Sequence, residues 1–180
     1  MVYVFLANGC EEMEALAPVD ILRRGGVEVK TVGVGSKAIT GSHGIIINTD
    51  IITSELVLSD IDAIVLPGGM TGTINLESDD IVQSAIDYAY SKNLLIGAIC
   101  AAPSILGHLG YLNGKKATCY PGFEDSFGTG EYTGEVVTQD GNIVTGKGAG
   151  AAIYFGLQLL KNLKDEETME KVFESLQCPQ

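Results

Sequence analysis

Short apolar segments alternate with amphipathic segments along most of the chain. Runs of apolar residues predict buried strands at residues 1–7, 63–66 and 94–99. Apolar residues that recur every three or four positions predict helices at residues 13–24, 81–89, 101–109, 149–163 and 166–176. We expect Pro18 to kink or weaken the first of these helices. Strands that alternate with helices indicate an α/β fold, in which a mostly parallel sheet carries helices on both faces.

Other stretches predict a further strand and two hairpins. Residues 27–34 alternate between apolar and polar positions, as a half-buried strand does. Residues 35–60 are predicted to contain a small hairpin with Ile45-Ile46-Ile47 as its clearest strand, and Asp140-Gly141-Asn142 predicts another. No linker or low-complexity segment interrupts the pattern. We therefore expect a single domain over residues 1–180, built as a three-layer sandwich.

Composition and charge argue against several classes of protein. The chain has 180 residues, of which 46% are hydrophobic and 19% charged, and its formal net charge is −12. Lys and Arg never cluster beyond a pair, so neither a nucleic acid nor an anionic membrane surface is an expected partner. The four cysteines show no C-x-x-C spacing, which argues against a structural zinc site and against a disulfide framework. This favours a reducing cytoplasm, and we expect no metal and no organic cofactor.

Chemically functional residues follow three of the predicted strands. Glu14 comes soon after the first strand, Pro67-Gly68-Gly69 follows the strand at 63–66, and Cys100 follows the strand at 94–99. Ligands of open α/β sheets bind outside the carboxyl ends of the strands. If these strands are neighbours, a carboxyl group, a glycine-lined backbone and a thiol meet in one crevice.

Cys100 has the surroundings of a nucleophile at a tight turn between a strand and a helix. Ala98, Ala101 and Ala102 are small enough for the sharp turn that pushes the central side chain outward. A helix that begins at Ala101 would direct its positive end at the sulfur and lower the pKa of the thiol. The alternative is a buried structural cysteine.

Glu14 and nearby backbone groups are candidates to assist this thiol. A carboxyl group in a partly dry crevice beside a thiolate has a raised pKa, so Glu14 could move protons near pH 7. The alternative is a solvated glutamate on the helix surface. The N–H groups of Gly68, Gly69 and Ala101 could stabilise an oxyanion, although the two glycines are equally compatible with a plain turn.

A histidine base beside Cys100 is not predicted. The chain has only two histidines, His43 and His108. His108 follows Cys100 on the same predicted helix, about 12 Å along its axis, which is beyond hydrogen-bond reach. His43 is expected in a surface loop, from which it could reach the crevice only by folding over it or from a second subunit. Protease-like catalysis is therefore disfavoured.

Several motifs together resemble the ThiJ/PfpI superfamily, in particular the branch of the parkinsonism-associated deglycase and its bacterial ThiJ relatives. In chain order the motifs are Glu11-Glu12-Met13-Glu14, Pro18-Val19-Asp20, Leu22-Arg23-Arg24-Gly25, Leu66-Pro67-Gly68-Gly69 and Ala98-Ile99-Cys100-Ala101-Ala102-Pro103. The resemblance implies a flavodoxin-like sandwich and a homodimer. It also implies that Cys100 is the reactive cysteine, that Glu14 is hydrogen-bonded to it, and that Gly69 and Ala101 supply backbone N–H groups.

The sequence departs from the family pattern at two positions. Protease-like members have a histidine directly after the cysteine, where this chain has Ala101. The deglycase branch often has a histidine where this chain has Tyr120, whose phenol can donate a hydrogen bond but is a poor base at neutral pH. Arg24 and His43 match positions that, in relatives, approach the site across the dimer.

Three functions follow as hypotheses. The first is a cofactor-independent enzyme of the glyoxalase or deglycase type, in which the Cys100 thiolate attacks a small aldehyde or a glycated substrate and Glu14 moves the proton. The second is a sensor or chaperone of oxidative stress without turnover, in which Cys100 oxidises to the sulfinic acid. The third, a cysteine peptidase or amidotransferase, lacks the histidine base that it requires.

Overall fold

A seven-stranded sheet forms the middle layer of the computed structural model, which describes residues 1–178. Numbered in chain order, the strands of the molecule are β1 (Val2–Leu6), β2 (Val29–Gly33), β3 (Ala38–Thr40), β4 (Ile46–Asn48), β5 (Ile51–Ile52), β6 (Ala63–Leu66), β7 (Leu95–Ile99), β8 (Lys116–Ala117), β9 (Glu131–Tyr132), β10 (Val137–Asp140) and β11 (Ile143–Gly146). The large sheet has the order β10-β11-β7-β6-β1-β2-β5, and only β10 pairs with its neighbour in antiparallel fashion. The pairs β3–β4 and β8–β9 form two small sheets.

Helices cover both faces of the large sheet. The α-helices of the described chain are α1 (Glu12–Arg24), α2 (Met70–Glu77), α3 (Asp80–Ser91), α4 (Pro103–His108), α5 (Ala152–Leu163) and α6 (Glu166–Leu176). The helices α1, α5 and α6 pack in one core cluster with Val4 of β1, whereas α2, α3 and α4 pack in another with Phe5. Because adjacent strand residues point to opposite faces, the two clusters lie on opposite sides of the sheet. This flavodoxin-like three-layer sandwich confirms the predicted fold class.

The predicted elements differ from the observed ones in three respects. The helix α1 runs without interruption through Pro18, although proline has no N–H to donate to the Glu14 carbonyl. The predicted helix at 101–109 is shorter, because Ala101 and Ala102 form a turn and α4 begins at Pro103, a residue suited to the first helical position. The helix α2 is not predicted at all. Within residues 1–178 no helix is both long enough and apolar enough to cross a membrane.

The order of the strands brings three strand ends together. The strand β1 pairs with β2 on one side and with β6 on the other, and β7 follows on the far side of β6. From β1 the chain therefore adds strands in one direction first and then in the opposite direction. The crevice outside such a reversal is where open α/β sheets bind ligands. Glu14 follows β1, Gly68 follows β6 and Cys100 follows β7, so all three residues lie at one edge of adjacent strands.

Candidate active site

Cys100 occupies a strained turn between β7 and α4. Its backbone φ angle is 64°, in the left-handed region, which costs a residue with a side chain about 1–2 kcal/mol. The Cys100 N–H donates to the Gly146 carbonyl at 2.9 Å, and the Cys100 carbonyl accepts from the Tyr120 N–H at 2.8 Å. These two bonds hold the turn, which leaves the thiol half-buried at the carboxyl end of the sheet.

Glu14 reaches the thiol from the first turn of α1. Its residue is only 1% exposed, and its backbone N–H donates to the Glu11 carboxylate at 2.7 Å. The Glu14 Oε2 atom accepts from the Gly68 N–H at 2.9 Å, and the carboxyl group lies beside the Cys100 side chain, since both would crowd a Cβ atom at Gly68. The Oε1 atom is buried and has no hydrogen-bond partner within residues 1–178. That oxygen can therefore carry the proton of a neutral carboxyl group.

Burial and mutual proximity raise the pKa values of both the Glu14 carboxyl group and the Cys100 thiol. Desolvation, together with the Glu11 charge, raises the pKa of Glu14 from 4.5 to about 7, against the hydrogen bonds from Cys100 and Gly68. Desolvation also raises the pKa of the Cys100 thiol to about 12, and the charge and hydrogen bond of Glu14 act in the same direction. The first ionisation of the pair therefore falls near pH 7, and above that pH the proton that remains is held by the sulfur.

The prediction that a helix lowers the pKa of the thiol is wrong. The helix α4 has only six residues and begins three positions after the cysteine. The backbone N–H groups of Gly69 and Ala101 do favour the thiolate, but burial and the negative charge of Glu14 outweigh them. The thiol is thus protonated while Glu14 is ionised, and Glu14 is the base available to take its proton.

Gly68 has a different role from the predicted one. Its N–H donates to Glu14, so this group is not available to an oxyanion. A Cβ atom at Gly68 would lie 2.6 Å from Glu14 Oε2 and 2.7 Å from Cys100 Cβ, which leaves room only for glycine. Gly69 and Ala101 direct their N–H groups at the sulfur and remain the candidates for stabilising an oxyanion.

Within this chain, Arg24 and His43 are engaged away from Cys100. The Arg24 Nε atom donates to Asp20 Oδ2 at 2.6 Å, one turn back along α1. His43 lies between β3 and β4, where its Nδ1 atom is 2.8 Å from Glu12 Oε2 and its backbone N–H donates to Oε1 at 2.8 Å. Burial alone would raise the pKa of Glu12, but the hydrogen bonds with His43 outweigh it and lower this pKa to about 2. A contribution of either residue across a dimer stays a prediction.

Glu11, Glu12 and His43 are the one group in residues 1–178 whose side chains could together hold a metal ion, with ligand atoms within 4.8 Å of one another. The Glu12 oxygens already accept hydrogen bonds from His43 and from the Ser42 hydroxyl, the latter at 3.2 Å. A Cβ atom at Gly41 would lie 2.3 Å from Glu12 Oε1. We interpret the group as the contact that fixes the β3–β4 hairpin to α1.

Tyr120 lies next to the Cys100 turn, whereas His108 lies at the far end of α4. Tyr120 is 53% exposed and lines a cavity of about 510 Å³ together with Pro121 and the segment 147–151. The His108 Nδ1 atom is 2.6 Å from Glu77 Oε1, so its imidazole is engaged with α2. Both histidines of the chain therefore have carboxylate partners other than Glu14.

Comparison with known proteins identifies related chains. The model of the DJ-1/PfpI family matches residues 1–162. The chain is 33% identical over 177 residues to protein dj-1beta of Drosophila melanogaster, covering 96% of this chain and 94% of that protein. It is 31% identical to a Pyrococcus abyssi protein named deglycase, covering 91% of this chain and 99% of that protein. The solved structure of oxidized Toxoplasma gondii DJ-1 has a TM-score of 0.92 and 32% identity, covering 97% of this chain and 96% of that chain.

Proposed function

Because the chain belongs to the DJ-1/PfpI family, we propose that it is a cysteine-dependent enzyme of the glyoxalase or deglycase type that acts on small reactive carbonyls. The name of the Pyrococcus abyssi relative, a deglycase, supports this class of reaction. The observation that carries the proposal is the position of the buried Glu14 carboxyl group beside the Cys100 side chain, with Gly68 packed against both. The pKa of this carboxyl group is about 7. Addition to a carbonyl needs such a nucleophile beside a base that titrates near neutral pH.

The first step is addition of the Cys100 sulfur to the aldehyde carbon of a 2-oxoaldehyde. The Glu14 carboxylate takes the thiol proton as the C–S bond forms and passes it to the aldehyde oxygen, which gives a hemithioacetal. The N–H groups of Gly69 and Ala101 stabilise the negative charge that develops on this oxygen. With a glycated amine, the new C–S bond replaces the C–N bond of the adduct, and the amine leaves with the thiol proton.

The second step moves hydrogen between neighbouring carbon atoms. Glu14 removes the proton from the former aldehyde carbon to give an enediol, and return of a proton to the adjacent carbon gives a 2-hydroxy thioester. The aldehyde carbon is oxidised and the ketone carbon is reduced, so no external oxidant or reductant takes part. Water then cleaves the C–S bond, which releases the hydroxy acid and restores the thiol. Methylglyoxal would yield lactate.

We further propose that the protein is a homodimer in the cytoplasm. Met13 and Leu16 share a face of α1, Ile46 lies on the adjoining hairpin, and these side chains are 59%, 40% and 65% exposed. The Glu12–His43 contact keeps this hairpin against α1, so we expect the three side chains to contribute to one apolar surface. Such a surface supports association of two copies. A thiol that must stay reduced supports a reducing compartment.

The test of the enzyme proposal is lactate formation from methylglyoxal in buffer without glutathione. We expect the rate to rise as the pH increases through about 7, because Glu14 becomes the carboxylate over that range. We expect Cys100→Ala protein to be inactive and Cys178→Ala protein, altered near the end of the chain, to be as active as wild type. Equal activity of the Cys100→Ala and wild-type proteins would exclude the mechanism.

A second candidate function is a sensor or chaperone of oxidative stress, favoured by the solved Toxoplasma gondii relative that is described as oxidized. Peroxide would convert the Cys100 thiol to the sulfenic acid and then to the sulfinic acid, transferring one oxygen and releasing one water in each step. A protonated Glu14 could hydrogen-bond to the sulfinate. A cysteine peptidase or amidotransferase is not supported, since the groups that act on the Cys100 thiol are Glu14, Gly69 and Ala101, and neither histidine is among them.

Intact-mass analysis after mild peroxide treatment distinguishes this second function. For a sensor, we expect two oxygens to be added to Cys100 in wild-type protein and not in Glu14→Leu protein, with no lactate formed from methylglyoxal. Equal oxidation of the two proteins would show that Glu14 does not assist the oxidation of Cys100.

A further inference from the structure

A cleft beside the Cys100 turn has an acidic and apolar lining that the steps proposed above do not use. It has a volume of about 570 Å³ and lies between α2, α4 and the loop at 122–128. Met70, Ile74 and Phe123 supply apolar surface, whereas Glu77 and Asp125 supply carboxylates. Neither lysine nor arginine occurs among its described lining residues. The lining therefore matches a ligand that has an apolar stem and a cationic end.

Two of the lining residues adjoin the groups that surround the thiol. Met70 directly follows Gly69, whose N–H faces the Cys100 sulfur. The Ser104 hydroxyl donates to the carbonyl of Ala101, the other residue whose N–H faces the sulfur, at 2.8 Å. Because consecutive Cα atoms are about 3.8 Å apart, Met70 brings the cleft within one residue of the Gly69 N–H group. A ligand in the cleft can therefore be part of the molecule that reacts at Cys100.

Packing and hydrogen bonds define the shape of the cleft. A Cβ atom at Gly107 of α4 would lie 2.4 Å from the Ser126 carbonyl oxygen, so the loop at 122–128 is packed tightly against this helix. The hydrogen bond from His108 orients the Glu77 carboxylate. Thr73 also lines the cleft, and its buried Oγ1 atom has no hydrogen-bond partner in residues 1–178. Within the described residues the protein thus leaves one buried polar atom at the cleft, Thr73 Oγ1, without a hydrogen bond.

We propose that this cleft binds the side chain of a lysine or arginine that neighbours the glycated residue of a peptide substrate. The alkyl stem of such a side chain packs on the apolar lining, and its cationic group pairs with the two carboxylates. The net charge of −12 attracts basic peptides over a longer range. The inference rests on the proposed deglycase activity and defines its substrate class as basic peptides.

Binding is best measured in Cys100→Ala protein, so that the result does not depend on turnover. We would titrate Nα-acetyl-arginine amide and the uncharged Nα-acetyl-norleucine amide into isotope-labelled protein and follow the backbone amide signals by NMR. We expect the arginine compound to bind about two- to thirtyfold more tightly, the range that two partly exposed ion pairs provide. The shifted signals should include those of Ile74, Ser104 and Phe123. If the alanine variant gives no folded spectrum, wild-type protein serves, since neither compound carries a carbonyl adduct.

Matched variants separate the cleft from the overall charge of the protein. The Glu77→Gln/Asp125→Asn protein should lose the preference for arginine. The Glu28→Gln/Asp60→Asn protein, which loses the same charge at exposed positions elsewhere, should keep it. Equal affinity for the two amides, an unchanged preference in the cleft variant, or shifts confined to another region would overturn the proposal. Failure of the lactate assay would instead count against the proposed reaction, because this titration needs no activity.

Discussion

Glu14 carries a carboxyl group that is almost wholly removed from water. Its pKa is about 7 in the folded chain, against 4.5 for the unperturbed group. Between these two pH values the unfolded chain releases this proton while the folded chain retains it. As the pH rises through this range, the group lowers the free energy of unfolding by about 3 kcal/mol. Burial that suits Glu14 to act as a base near neutral pH therefore costs stability there.

The substitution Glu14→Gln should remove this dependence on pH. The amide has a similar volume and does not ionise, so the variant should gain about 2–3 kcal/mol relative to wild type between pH 5 and pH 8. Urea unfolding at the two pH values measures the gain, and the exposed substitution Glu28→Gln is the control that should show none. The same difference from wild type at both pH values would contradict the raised pKa.

Gly68 is a position where one added methyl group should disrupt the site. A Cβ atom there would collide with Glu14 Oε2 and Cys100 Cβ. Gly68→Ala should therefore abolish lactate formation and destabilise the protein by about 1–3 kcal/mol, as overpacking does. Urea unfolding checks the second effect, with Gly150→Ala as the control, because a Cβ atom at Gly150 would meet nothing within 4 Å. Full activity of Gly68→Ala protein would show that the contact is not needed.

The sequence could predict the members of the site more readily than their protonation. Small residues around Cys100 and the positions of Cys100 and Glu14 after predicted strands allowed the hypothesis that the two meet if those strands are neighbours, and the family resemblance implied the same contact. The bond from Gly68 to Glu14 joins residues 54 positions apart, and no local pattern encodes it. The raised pKa of Cys100 also arises from this packing, because burial and the charge of Glu14 both depend on the folded chain.

At the level of elements, the contact between α1 and α5 positions Glu14. A Cβ atom at Gly156 of α5 would lie 3.1 Å from Pro18 Cα and 2.8 Å from Ile21 Cδ1 on α1. Because glycine has no side chain, the two helices approach each other closely at Gly156. The contact lies at Pro18, through which α1 continues. The crossing therefore holds the helix that carries Glu14 against the sheet.

Gly156→Ala tests this contact because two effects oppose each other. Alanine favours a helix over glycine by about 1 kcal/mol, whereas overpacking a tight contact costs about 1–3 kcal/mol. Since one of the crowded atoms belongs to the backbone of Pro18, we expect a net loss of about 1 kcal/mol in the free energy of unfolding, measured with urea. A more stable variant would mean that the helices can separate without cost.

Helices were predictable where they have a continuous apolar face. The helix α3 buries Val82, Ala85, Ile86 and Ala89 at helical spacing, and the sequence predicted it. The helix α2 reads Met-Thr-Gly-Thr-Ile-Asn-Leu-Glu and buries only Gly72, Thr73 and Leu76, so its sequence has no comparable signal. The start of α4 was misplaced because Ala101 and Ala102 favour a helix locally, whereas the turn at Cys100 delays it to Pro103.

At the scale of the whole molecule, the apolar surface of Met13, Leu16 and Ile46 should be the dimer contact. Ile46→Glu adds a charge to this surface in a chain that already carries −12, so it should convert a dimer to a monomer of 19.0 kDa. Sedimentation analysis measures the mass, and Val57→Glu, at a 51% exposed position elsewhere, should leave the dimer intact. A monomeric wild-type protein would contradict the proposed assembly.

The central claim, that above about pH 7 an ionised Glu14 carboxylate lies beside a protonated Cys100 thiol and acts as its base, is tested most directly by the pH dependence of Cys100 alkylation. Iodoacetamide labelling, read at the Cys100 peptide by mass spectrometry, separates this thiol from the other three cysteines. We predict a rate that rises in one step near pH 7 and again only toward the thiol pKa of about 12. The step near pH 7 should be absent from Glu14→Gln protein. A single step well below pH 7, or a profile that Glu14→Gln leaves unchanged, would contradict the account.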